Sequence, residues 1–427
     1  MKLTDASSGR QLEIEIIRPL GSGLQGQTNV VRVCGERAIQ VHKRYRAARA
    51  SSPLGRHLVG LVGHVSSHMT ASERSELPGL PSQAVADDSG GIGLLMPFLD
   101  GQPLSTPGLY RSVFGDLEGR LDLATCLARQ VELLDRARIV WADPSEANVL
   151  RLGLRLMGID FDGAGVLAPG GDFHPGLGPT VRYTPDGALF PPELATDPRL
   201  APSVESDRWA LAVLLHRLLF AGEEPFFWVV RSDDIETAAV TWPPEPGLVE
   251  AGALHFHTAV RESLGPALDE LFREVFRPVS RGWVPALRPS AERWREALQV
   301  AAGWTWRCQC GQQLVAEQRS ACPYCSARLP HAQVLTRRGA ITLRREGQLI
   351  NGSDIGLKTR PGPVFRIRRR KGQLLLDAFV PLEAAGRRLG PGGWETGPLP
   401  PGRSEISIGS SDGWGHPLRL VLMEPAR

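Results

Sequence analysis

The stretch "WADPSEANVL", residues 141–150, followed closely by "IDFDG", residues 159–163, decides how the rest of the chain is read. Asp143 and Asn148 stand five apart, and Asp160 follows Asn148 by twelve. Each is an oxygen donor, and the apolar runs "NVLRL" and "LMGID" that lie between and around them read as short strands. A polar loop capped by turn-forming Asp and Asn would account for either piece alone. Three donors at these separations, held by two strands, are harder to obtain by chance.

Upstream, "MKLTDASSGR" reads as a mobile start, and "QLEIEIIRPL" is a strand by its period of two. "GSGLQG" then sets Gly21, Gly23 and Gly26 in GxGxxG spacing between two strands, where missing side chains let backbone N–H groups approach phosphates. A glycine-rich hairpin in a structural sheet explains that motif about as well. In "RAIQVHK", residues 37–43, strand alternation puts Ala38, Gln40 and His42 on one face and Lys43 on the other. No Asp or Glu occurs from Arg37 to Ser72. "GIGLLMPFLDG" reads as a further buried strand. From Leu104 the period becomes helical, as in "DLATCLARQVELLDRARIV", with proline-rich loops such as "TWPPEPG" between pieces. "SAERWREALQVAA" is a helix with Ser290 as N-cap.

Over residues 11–302 these motifs resemble the protein kinase superfamily, which implies a bilobal kinase-like domain. On that resemblance Asp143 would accept a substrate hydroxyl proton, and Asn148 and Asp160 would hold magnesium. Gly21, Gly23 and Gly26 would cover the phosphates of ATP. Ala38 and position 40 would sit beside them, Met96 would be the gatekeeper, and the backbone at Phe98 would bond the adenine. "PPE" ending at Glu193, Asp207 in "ESDRWALAVLLHRLL" and Arg288 in "LRPSAERW" resemble later segments of the same family. The departures are as informative. Gln40 stands where the phosphate-binding lysine belongs, the glutamate that holds that lysine is missing, Asp162 replaces a glycine, and "WAD" replaces HRD. The implied protein is a pseudokinase or a very weak kinase. A cation supplied by Arg32 or by an arginine of the acid-free segment is the route by which activity would return.

"CQCGQQLVAEQRSACPYC" supplies Cys308, Cys310, Cys322 and Cys325 as a Cys-x-Cys and a Cys-x-x-Cys separated by eleven residues. Two close thiolate pairs suit a closed tetrahedral zinc site, with turns at Gly311 and Pro323, and residues 303–332 resemble a zinc ribbon. Two disulfides are the alternative. A module this small has too little core to fold unaided, so the expected metal is structural. Residues 333–427 read as short alternating runs between Gly and Pro turns, an all-β interaction module, expected as a small sandwich and loosely resembling forkhead-associated domains. "RIRRRKG" is expected to be a solvated edge strand with its tip at Lys371 and Gly372, and without interleaved aromatic residues it gives no reason to expect nucleic acid.

The whole chain has 427 residues, 42% apolar and 22% charged, enough for a multidomain α+β protein. The net charge of +3 is uneven, with sixteen Lys/Arg against eight Asp/Glu from Arg337 onward. "WALAVLLHRLLFAG" is interrupted by His216 and Arg217, so no membrane insertion is expected, and the cysteine pattern suits a reducing cytoplasm. The three-part layout resembles kinase-like proteins of tellurium-resistance-associated systems. That layout implies protein partners, namely a metal-dependent phosphatase and a von Willebrand factor A protein. The expectation is therefore a cytoplasmic regulatory pseudokinase that binds ATP and magnesium and carries a structural zinc, against an active Ser/Thr kinase or a nucleotide-free scaffold.

Overall fold

The computed structural model describes residues 1–22, 26–112, 117–167, 173–174, 201–223, 225, 242, 251–276, 285–308, 310–316, 321–329, 331–336, 339–343, 347–355, 362–370, 373–384, 387–389, 403–408 and 416–423. They divide into two compact units, the first drawn from 1–115, 123–242 and 272–295, the second from 116–122, 243–271 and 296–427.

The first unit opens with six strands: β1 (Lys2–Asp5), β2 (Gln11–Ser22), β3 (Gly26–Val33), β4 (Ile39–Arg49), β5 (Gln83–Asp87) and β6 (Gly91–Pro97). They close into an antiparallel barrel of order β1-β2-β3-β4-β6-β5. Closure depends on β1, which pairs Leu3 with Leu12 on one side and with Asp87 on the other. The segment read from sequence as a mobile start is thus a barrel strand. Its side chains alternate, so Leu3 joins Leu12, Ile14, Val31, Val33, Val85 and Leu95 in a buried cluster. The closed barrel overturns the bilobal protein-kinase-like fold. A short edge run at the amino terminus, too polar to be read as a strand, supplies the two ladders that seal the sheet.

Helix α1 (Pro53–His68) begins where Ser52 accepts a hydrogen bond from Gly55 N and proline occupies the first turn. Leu58, Leu61, Val62 and Val65 recur at helical spacing and are buried. Leu58 and Val62 pack with Tyr45, Ala48, Ala84, Ile92 and Leu94 on the outer face of the barrel. Burial of each such side chain contributes about 1.5–3 kcal/mol. The shorter α2 (Ala71–Glu76) carries a capping box between Thr70 and Glu73.

Helix α4 (Leu117–Arg136), after the one-turn α3 (Leu109–Ser112), leads to the short strands β9 (Val149–Leu152) and β10 (Arg155–Gly158), which pair with each other, and β7 (Gln102–Pro103) adds to β9. Strand β8 (Ile139–Val140) pairs with β11 (Gly165–Leu167). Helix α5 (Val204–Leu219), capped reciprocally by Ser203 and Ser206, is buried on most sides. Around His216 and Phe220 stand Trp242, Phe272 and Phe276, a ring cluster that forms this unit's second core.

In the second unit, Gln313 Oε1 accepts from Leu117 N (2.6 Å), which gives the start of α4 its cap. The strands Thr305–Arg307 and Gln313–Val315 form a hairpin with the cysteine cluster at its end. Beyond it lie a six-stranded antiparallel sheet, which includes His331–Thr336 and His416–Met423, and a three-stranded sheet built around Pro363–Arg370. The basic run is therefore a central strand, not the expected edge. Arg366 and Arg368 grip the buried Asp377 of the neighbouring strand at 2.5 and 2.9 Å, so one carboxylate ties both to the sheet and matches one of their two charges. The expected tip at Lys371 and Gly372 lies outside the described residues. Among the described residues no helix is long and apolar enough to cross a membrane.

Candidate functional site

The expected triad lies on two loops that the fold ties together. Ile159 N donates to Asn148 O at 2.8 Å, and Asn148 Nδ2 donates to the Asp143 backbone oxygen and carboxylate at 3.1 and 3.0 Å. Asp207 on α5, with its carboxylate buried, accepts from Trp141 N and Ala142 N at 2.6 and 3.1 Å, which fixes the entry to the first loop. Burial pushes the Asp207 carboxyl up to about 8 against the pull of those two N–H groups. Gln130 on α4 donates to Leu156 O and accepts from Gly158 N, so a buried amide pins β10 just before Asp160. A Cβ on Gly158 would stand 2.6 Å from the Trp141 ring, so glycine is needed for that approach. Asp160 itself has φ 61° and ψ 50°, a left-handed conformation that aspartate adopts at a cost.

Asn148 and Asp160 line one end of a cavity of about 400 Å³. Its apolar lining includes Val41, Met96, Phe98, Leu150 and Ile159, and Arg18 and Asp100 line it as well. Asp143 is not among the lining residues, although it is bonded to Asn148.

The cation at this end is Lys43, which sequence reasoning set aside. The alternation along β4 is as expected, but the face that carries Val41 and Lys43 is the one that lines the cavity. Lys43 Nζ lies 2.5 Å from Asp160 Oδ1 and 2.8 Å from Asp162 Oδ2. Tyr45 donates to Asp162 at 2.7 Å, and His57 of α1 meets the Asp162 backbone oxygen at 3.2 Å. Burial works against the Lys43 charge, yet the Asp162 and Asp160 carboxylates outweigh it and hold its pKa above the usual value. Burial and the adjacent Asp162 raise Asp160. For Asp162 burial is outweighed by Lys43 and by bonds from its neighbours, which lower it. With Arg18 and Lys43 set against Asp100, Asp160 and the adjoining Asp162, the side chains at the cavity and behind Lys43 carry one excess negative charge. The acid-free run from Arg37 to Ser72 was the available signal: it carries no glutamate for a lysine to pair with, and both partners come instead from the 160–162 loop.

The other expected ligand contacts fall elsewhere. Gln40 donates to Glu36 at 3.1 Å and does not line the cavity, and neither does the exposed Ala38. Arg32 is paired with Glu15 at 3.4 Å on the barrel surface. Gly21 and Gly26 flank the β2–β3 turn but are absent from the lining, and Gly23 lies outside the described residues. Met96 and Phe98 do line it. The Phe98 N–H, however, is committed to Ile39 O at 3.1 Å, and Pro97 has no N–H, so the expected backbone donor for an adenine is taken. Glu193 lies outside the described residues, and the buried Arg288 donates to Glu205 O at 2.8 Å.

In the second unit the sulfur atoms of Cys308, Cys310, Cys322 and Cys325 all lie within 4.8 Å of one another. The pairs Cys308–Cys325 and Cys310–Cys322 are separated by 3.6 and 3.9 Å, far longer than a disulfide, and all six cysteines are free. Each cysteine pair sits on a tight turn, one closed by Gly311 at φ 85° and the other by Ser326 at φ 60°. Leu314, Ala316 and Leu329 pack against Cys308 and Cys322. Burial pushes the Cys308 thiol up to about 12, the direction expected of sulfurs crowded together without a cation. Four thiolates around a tetrahedral ion with bonds of about 2.3 Å would stand about 3.8 Å apart, so the cluster fits a metal ion.

No family model matches the chain, and no curated protein does either. Neither comparison therefore supports the resemblance to protein kinases, which the closed barrel contradicts, and the likeness of layout to tellurium-resistance systems falls with it.

Proposed function

We propose that this chain is a regulatory protein whose barrel-side cavity binds a nucleoside triphosphate with magnesium, and whose four cysteines hold a structural zinc. The observation that carries the reading is the half-buried Lys43, held by Asp160 and Asp162, in the lining of a cavity that also presents apolar side chains. A single ammonium neutralises one of two carboxylates, so the site favours an added divalent cation, and oxygen donors suit magnesium. Asp160 and Asn148 would hold that ion, which would neutralise phosphate charge when bound. Lys43 would exchange one carboxylate for phosphate oxygens. Val41, Met96, Leu150 and Ile159 offer the flat apolar slot a base requires. With the Phe98 N–H occupied, base identity is read weakly, so the affinity rests on the phosphates.

The test is a melting titration with ATP, with and without magnesium, on the zinc-replete protein and on Asp160→Ala and Lys43→Met. Ligand at a hundredfold its Kd adds about 2.7 kcal/mol, a rise of about 5 °C for a unit of this size. A rise that needs magnesium and disappears in Asp160→Ala is the expected result. No rise at saturating ATP and magnesium would sink the reading.

A further inference from the structure

The acid-free segment that supplies Lys43 also supplies Arg44, Arg46 and Arg49, and the nucleotide reading uses none of them. They line a second cavity, about 720 Å³, together with Ser22, Gln27 and Ser89. It lies at an irregularity in the barrel. Arg44 pairs with Gly93 of β6 and Arg49 with Gly91, so residues 45–48 of β4 stand against Ile92 alone. The register shift thus falls on the residues that line the space, and such bulges commonly re-aim side chains at functional sites.

The charge in this cavity is only partly matched. Arg44 meets Asp87 at 2.6 Å, and Asp87 is held in turn by Ser89 and Gly91 N. Arg46 and Arg49 have no carboxylate partner among the described residues, and both are exposed. Three guanidinium groups against one carboxylate leave two positive charges facing a space walled by hydroxyl and amide donors. Guanidinium groups bond phosphate oxygens in pairs and cannot be discharged at any working pH.

We propose that the bulge in β4 forms a second anion site, specific for a small polyphosphate: free tripolyphosphate or the phosphate tail of a nucleotide. It is separate from the Lys43 cavity in one decisive respect. Its charge is positive without any metal, so binding needs neither magnesium nor Asp160. Tyr45 lines the arginine cavity, and its hydroxyl donates to Asp162, the carboxylate that also holds Lys43.

The probe is tripolyphosphate, with ATP in parallel, titrated calorimetrically at low salt and without added magnesium. The proteins are wild type, Arg46→Ala/Arg49→Ala, and Arg10→Ala as an exposed arginine outside the pocket. All three substituted side chains are solvent-facing, so the variants keep the fold, and unchanged melting checks this. The expected result is saturable binding in wild type and Arg10→Ala, with a loss of at least about tenfold in the double variant. Affinity for tripolyphosphate equal to that for ATP assigns the site to the phosphates alone, whereas tighter ATP assigns it to a nucleotide tail. Unaltered binding in the double variant, an equal loss in Arg10→Ala, or no binding in wild type would overturn the proposal. Because magnesium is omitted, failure here leaves the magnesium-dependent melting shift untouched, and the converse also holds.

Discussion

A buried ammonium is tolerated only while its charge is matched, and Lys43, with a side chain 14% exposed, is matched twice. Removing it in Lys43→Met would leave Asp160 and Asp162 facing each other without a cation. The expected loss is about 2–3 kcal/mol by denaturant unfolding, at the low end for a broken ion pair because Asp160 is 42% exposed. Adding Asp162→Asn should recover part of that loss, since it removes the stranded charge, and full additivity of the two would show that the pair is not coupled. His42, on the opposite face of the same strand, is 2% exposed and held neutral: burial, then the charge of Arg44, lowers its pKa to about 4. Below pH 6.5 the unfolded chain takes up a proton that the folded chain refuses, so stability falls as pH drops from 6.5 toward 4, by about 3 kcal/mol in all. His42→Gln should flatten that acid limb, and an unchanged limb would place the titration elsewhere. Alternation did separate these two side chains in the sequence. It could not say which face of β4 meets the cavity, because that depends on how the sheet closes.

At the scale of elements, the glycines of the β2–β3 turn show why a motif's spacing is weak information. Gly26 was read as one of three phosphate-covering glycines, yet a Cβ there would stand 1.9 Å from the Arg44 carbonyl oxygen. Its missing side chain serves the approach of β3 to β4. Gly21, in the same motif, has nothing within 4 Å of an added Cβ. Gly26→Ala should therefore cost about 1–3 kcal/mol, as overpacking against backbone does, while Gly21→Ala stays within about 0.5 kcal/mol of wild type by thermal melting. Equal tolerance of both would mean that β3 can shift away from β4. The strands and helices with clear periods, such as β2 and α4, were legible for the same reason that Gly26 was not. Their burial pattern is local, whereas a backbone approach joins residues eighteen positions apart.

For the molecule as a whole, the long-range facts were the least legible: β1 sealing the barrel, the bulge in β4, and the basic strand standing in mid-sheet. Each depends on pairing between distant segments, and no single window of sequence contains it. The cysteine cluster is the exception, since two pairs of soft ligands on tight turns specify their own partner. Among the described residues, Leu314, Ala316 and Leu329, with the half-buried Trp306 and Ala327, are the apolar side chains in the cluster with Cys308 and Cys322, too little core to hold the two turns together unaided. The binding energy of a thiolate site, on the order of 10–16 kcal/mol, would make up that deficit. The protein should then carry one zinc per chain by elemental analysis, and Cys310→Ser and Cys322→Ser should each abolish stoichiometric retention. Stripping the metal with a strong chelator should unfold the hairpin Thr305–Arg307 and Gln313–Val315, seen as loss of amide exchange protection there, while Cys34→Ser and Cys126→Ser leave metal content unchanged. A hairpin equally protected after chelation, in protein free of metal, would mean that the four thiols pack as an apolar core and that zinc is not what holds this part of the fold.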